Sequence, residues 1–155
     1  MSTSGFVDKL FPEYKFLPYK DIVIEYSSKL KQKGANAVLI VSHVGNKCPQ
    51  NKTYDVRTEK TPQEACFTDE ITNLIDVLPE NTIHGIVSGH RHRWVHHYYK
   101  GIPFMGSING GYYFNVLYLN FNSETKEIVD SAIEGPIPVC EKLFANTLTC
   151  EYQNE

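Results

Sequence analysis

Residues 35–45 read ANAVLIVSHVG and residues 82–92 read TIHGIVSGHRH. Each is a short run dominated by Val, Ile and Leu that stops at a serine, followed directly or after one glycine by histidine. A continuous apolar run such as Ala37 to Val41 is the pattern of a strand buried on both faces of a parallel or mixed sheet. Two strands of this kind, each delivering histidine at its carboxyl end, decide the fold class, because α/β proteins hold their ligands at that end.

Outward from these strands the periodicity changes. In DIVIEYSSKLKQKG (residues 21–34), Ile22, Tyr26 and Leu30 recur at fourfold spacing, which predicts a helix running to about Lys33 with Gly34 just past its cap. Residues 44–66 mix Gly, Pro, Asn and Lys without period and read as a long surface loop. TDEITNLIDVLP (residues 68–79) sets Ile71, Leu74, Ile75 and Leu78 on one helical face, with Thr68 as N-cap and Asp69 and Glu70 complementing the helix dipole. From residue 94 the pattern becomes strands: WVHHYY, IPFMGSI, YYFNVLYLNFN and EIVDSAIEG. In the longest, Leu117, Leu119 and Phe121 alternate with Tyr118 and Asn120, so one face is expected to be the more buried. Helix, strand, helix, strand and then consecutive strands imply an α/β fold of mixed sheets with flanking helices and an antiparallel C-terminal portion.

The 155 residues suit one domain, and their net charge of −3 argues against a nucleic acid polymer as partner. The short cluster Lys29, Lys31 and Lys33 is expected to be a solvated helix face. No run approaches the roughly 20 apolar residues of a membrane span, so no transmembrane segment is expected. The opening MSTSGFVDKLFPEYKF has neither a basic nor an apolar leader region, so no signal peptide is expected on this chain. Cys48, Cys66, Cys140, Cys150 and the glycosylation sequon Asn51-Lys52-Thr53 point the other way, toward a secreted or cell-surface full-length relative. A Cys48–Cys66 bridge and free buried thiols both stay open.

Of the six histidines, His43, His90 and His92 stand at the carboxyl ends of the two apolar strands. Residues i and i+2 of an extended segment point the same way, so His90 and His92 are both able to face one ion. Imidazole suits zinc, manganese, iron or nickel. A single histidine is most often a surface or hydrogen-bonded core residue; three at two strand ends form a candidate metal site. His96 and His97, neighbours on a strand, must point to opposite faces and read as structural. His84, at the far end of its strand, reads the same way.

The succession AVLIVSHVG, GIVSGHRH and GSINGGYYFNVLYLNF resembles the second half of the calcineurin-like metallophosphoesterases, most closely their 5′-nucleotidase branch, over roughly residues 15–135. That leaves residues 1–14 as an unrelated start and 136–155 as a C-terminal tail. The resemblance implies a metallophosphoesterase sandwich and a site of two divalent ions, zinc, manganese or similar, about 3.5–4 Å apart, that clamp a phosphate ester or nucleotide and activate a hydroxide for in-line attack. By match of motif His43 and His90 would bind one metal and His92 the other, with Ser42 and Gly89 shaping the turns around them.

The family's other ligands come from Asp-x-His, Gly-Asp-x-x-Asp and Gly-Asn-His-Asp/Glu motifs in an N-terminal half, and none occurs in this sequence. Without a bridging carboxylate, neutral imidazoles do not offset the repulsion between two dications. The chain is therefore expected to be a partial metallophosphoesterase domain, inactive alone, that depends on a complementing half-domain. The alternative is a non-catalytic paralogue or binding module that keeps weak metal affinity. A cupin-like barrel, suggested by GHRH among strands, is disfavoured by the two helices and by the lack of a glutamate soon after His92.

Overall fold

The structure, a computed structural model, describes residues 10–13, 17–45 and 70–140. The Cys48–Cys66 pair, the Asn51 sequon, the Thr68 cap and most of the proposed loop, start and tail lie outside the described residues. Two helices, α1 (Tyr19–Gln32) and α2 (Glu70–Val77), accompany six strands: β1 (Leu39–Ser42), β2 (Gly85–Ser88), β3 (Val95–Tyr99), β4 (Ile102–Gly106), β5 (Tyr113–Phe121) and β6 (Ile128–Pro138). The fold is mixed α/β and mostly strand. No helix among the described residues is long and apolar enough to cross a membrane.

The first four strands form one mixed sheet in the order β1-β2-β4-β3, in which β1, β2 and β4 run parallel and β3 runs antiparallel to β4. The strands β5 and β6 form a separate antiparallel pair. The alternation of a pleated strand sorts side chains to two faces of the larger sheet. On one face Ile86, Phe104 and Val95 pack with Ile71 and Ile75 of α2 and, partly buried, with Val23 of α1 and Ile40 of β1. On the other lies the β5–β6 pair: Leu117 comes so close over Gly85 that a Cβ there would stand 2.9 Å from its Cδ2. Tyr98 of β3 donates its hydroxyl to the Ser131 carbonyl of β6 at 2.8 Å.

Helix α1 ends as its sequence requires. Gly34 sits at φ 93, and the Ala35 and Gly34 N–H groups return to the carbonyls of Leu30 (3.1 Å) and Lys31 (2.9 Å), the paired bonds of a glycine-terminated helix. Its buried face, however, is not the fourfold stripe. Ser27 is the buried residue of α1 and donates to the Thr82 carbonyl at 2.5 Å, while Tyr26 and Leu30 are 57% and 44% exposed. The Ser27 bond turns the helix so that Val23, not Tyr26, reaches the sheet.

A second difference concerns β1. Its apolar run implied burial on both faces, yet Val41 is 82% and Leu39 45% exposed. The strand lies at the sheet edge, and the β5–β6 pair covers the adjoining face at Gly85 while Val41 stays in solvent. In β5 the expected alternation holds at Leu117 and Leu119, half-buried beside exposed Tyr118 and Asn120; it fails at Phe121, 43% exposed, where the register shifts between Asn120 and Phe121.

Candidate metal centre

The parallel register sets Ser42 beside Ser88, Ser88 beside Gly106, and Gly106 beside Val95. This row is the carboxyl edge of the sheet, and His43, residues 89–94 and Ser107 all emerge from it. The edge is tied together by the Gly89 N–H, which donates to the Ser42 carbonyl at 3.0 Å.

Immediately beyond, the Arg91 N–H donates to the Gly89 carbonyl at 2.9 Å and closes a three-residue turn around His90, whose φ is 71. A γ-turn of this hand is rare and strained for a residue with a side chain. His92 also has a positive φ, 51. Non-glycine residues in this region cluster where surrounding structure overrides the cost, often at functional sites. Here the consequence is geometric: the turn swings the His90 ring toward β1, and its Nδ1 lies 3.2 Å from His43 Nε2. The rings meet edge to face, centroids 5.0 Å apart at 77°.

The His43 ring rests against Gly89, where a Cβ would stand 3.5 Å from Nδ1, and the Arg91 stem crosses Gly45, where a Cβ would overlap Arg91 Cγ at 1.9 Å. Only glycine permits that crossing. Behind the pair, on the helix side, the buried Ser42 hydroxyl oxygen has no hydrogen-bond partner among the described residues and lines a cavity of about 90 Å³ with Tyr19, Val23, Ile40 and Leu74.

Of the three histidines singled out by sequence, the fold thus brings His43 and His90 together, from residues 47 positions apart. His92 leaves the same edge as an exposed residue. Among the described residues no group of three or more His, Cys, Asp or Glu side chains converges. The His43–His90 span still suits a metal. Two nitrogens bound to zinc at about 2.0–2.1 Å with tetrahedral angles lie about 3.3 Å apart, close to the observed 3.2 Å. Both rings are exposed, and a tetrahedral ion held between them would need two further ligands.

His96 and His97 are structural, as their strand positions imply. His97 is 3% exposed and packs against Phe104. His96, on the opposite face, contacts the Asn115 amide oxygen through Nε2 at 2.8 Å; an amide oxygen only accepts, so Nε2 carries the proton. Asn115 Nδ2 donates in turn to the Gly106 carbonyl at 3.0 Å, joining β3, β5 and the last residue of β4. Burial lowers the His96 pKa, against the opposing pull of Asn115. Burial likewise lowers the pKa of His84, aided by Lys31.

Asn115 and the edge-to-face pair of Trp94 and Tyr113, centroids 5.3 Å apart, escaped the sequence reading. A signal for Asn115 exists, since it shares the inward phase of Leu117 and Leu119 yet is polar.

No protein-family model matches the chain, and no solved structure matches it. The chain is similar to the cell wall protein Lmo0130 of Listeria monocytogenes serovar 1/2a, with 22% identity over 117 residues, 76% of this chain. It spans 14% of that relative's length.

Proposed function

We propose that the carboxyl edge of the four-stranded sheet is half of a phosphoester-hydrolysing metal centre of the calcineurin-like, 5′-nucleotidase type, within a partial metallophosphoesterase sandwich. The observation that carries this reading is the 3.2 Å approach of His43 and His90, held by a strained turn at the ends of adjacent parallel strands. His43 and His90 would hold one divalent ion, zinc or manganese, and His92, leaving the same edge, is the group available to a second. A pair of such ions, once bound, supplies Lewis-acid activation of phosphate and of water. The chain's own residues would bind and orient: the γ-turn fixes the His90 ring and Gly89 seats His43.

The carboxylate that two close dications require comes from outside these residues, on a complementing half-domain. The exposed apolar edge at Leu39 and Val41 supports that dependence, since a free strand edge with an uncovered face is a template for further pairing. The cell wall designation of the Listeria relative supports a cell-surface setting.

The second reading is a non-catalytic binding module, favoured by the two-ligand limit among the described residues. Assay of p-nitrophenyl phosphate and AMP with manganese or zinc separates the readings. The chain alone is expected to give no turnover, and a completing segment with Asp-x-His and Asn-His motifs is expected to confer it. No turnover with that segment bound contradicts the enzymatic reading. Turnover by the chain alone, abolished in His90→Ala, contradicts the need for completion.

A further inference from the structure

We propose that a cleft at the opposite end of the four-stranded sheet from the histidine pair binds a small amphipathic anion, a carboxylate or phosphate carried on a short apolar body. Two hollows of about 400 and 550 Å³ adjoin there and share Asn81, His84 and Ile128. The first is walled largely by apolar side chains, among them Leu78, Pro79, Ile83, Ile102 and Pro103. The second is polar, with Lys31, Asn36, Thr125 and Lys126. A ligand that fills both needs an apolar end and a polar end.

The sign of the polar end follows from the groups around it. His84 accepts the Val38 N–H on Nδ1 at 3.0 Å, which fixes the neutral ring as the Nε2–H tautomer. Burial and the neighbouring Lys31 ammonium lower the pKa of the ring. Its remaining nitrogen is therefore a donor at the junction of the two hollows, without a partner among the described residues.

Lys31 and Lys126 stand against one carboxylate, Glu127, in the polar hollow. In the apolar hollow Lys100 is neutralised by Asp76 at 2.5 Å, leaving Glu80 as its uncompensated charge. A ligand's negative end is thus favoured on the Lys31–Lys126 side and disfavoured on the other.

The site is also preformed. Lys126 sits at φ 62 in a turn closed by its own N–H to the Asn122 carbonyl and by the Asn122 N–H to the Glu127 carbonyl, both at 2.9 Å. The Asn122 side-chain oxygen further accepts the N–H groups of Glu124 and Thr125. On the other wall, the Lys31 ammonium donates to the Asn81 carbonyl.

Equilibrium dialysis of the full chain against radiolabelled octanoate tests the assignment, with octanol, octylammonium and inorganic phosphate as competitors. Octanoate is expected to bind saturably, several-fold more tightly than octanol or phosphate displaces it, and octylammonium is expected not to compete. Lys126→Ala, at an exposed turn position, is expected to weaken octanoate several-fold while leaving octanol unchanged, and Ile128→Ala to weaken both. Equal competition by octanol or octylammonium, or octanoate binding unaltered in Lys126→Ala, overturns the proposal, as does the absence of saturable binding. None of these outcomes depends on the histidine pair.

Discussion

His90 adopts a left-handed backbone conformation that costs a residue with a side chain about 1–3 kcal/mol. Its φ of 71 is retained where a glycine would relax it, and the side chain so placed meets His43. Replacing it should separate stability from binding. His90→Gly is expected to raise unfolding stability by about 1 kcal/mol in urea titration while removing the proposed ligand; a loss of stability would show that the turn is unstrained. Asn115 is the converse case, a polar residue whose value is structural. Asn115→Ala leaves the His96 N–H and the Gly106 carbonyl without their partner and is expected to cost about 1–3 kcal/mol by the same measurement.

Two partly buried imidazoles also set a pH dependence. The pKa values of His84 and His96 are lowered from 6.5 by burial, so below 6.5 the unfolded chain binds more protons than the folded one. Their contribution is full above pH 6.5 and is lost as pH falls from there through the lower folded values. Urea midpoints measured between pH 8 and pH 5 should decline on the acid side. A flat profile would mean that neither ring is effectively desolvated.

At the level of elements, Leu117 of β5 lies close over Gly85 of β2. Gly85 leaves room for Leu117 and Leu39, each 2.9 Å from the position of an added Cβ. Gly85→Val is therefore expected to push β5 off the sheet and destabilise the fold by about 1–3 kcal/mol, with the Tyr98–Ser131 bond reporting the shift as faster amide exchange along β6. Unchanged stability would place the hairpin farther from the sheet than described.

Much of this level was legible in the sequence. Periodicity marked both helices and the strands, Gly34 marked the end of α1, and the adjacent His96 and His97 were sorted to opposite faces by strand geometry alone. Two features were not legible. Whether the apolar run of β1 is central or at an edge depends on which strands lie beside it, and composition carries no trace of that. The face buried by α1 was decided by Ser27 and its bond to Thr82, a polar contact invisible to hydrophobic spacing. In the site, the strand ends grouped His43, His90 and His92, and extended-chain geometry set His90 with His92; the turn at His90 carries it to His43 instead, and that γ-turn had no marker, because positive φ at a histidine lacks the glycine that usually announces it.

For the molecule as a whole, the apolar side chains left outside matter most. Val41 at 82% exposure on the free edge of β1, and Tyr26 and Leu30 on α1, describe a body that stops short of covering its own layers. Such edges promote association between chains. Sedimentation velocity is expected to show concentration-dependent self-association that Val41→Lys reduces; a monomer at all concentrations, with one sharp thermal transition, would argue that the domain needs no complement.

The central claim is that His43 and His90 together hold a divalent ion. Calorimetric titration of zinc into the chain and into its His43→Ala and His90→Ala variants addresses it directly. The wild-type chain is expected to give a saturable zinc isotherm that either substitution removes. A zinc isotherm unchanged in both variants, or none in the wild type, would contradict it.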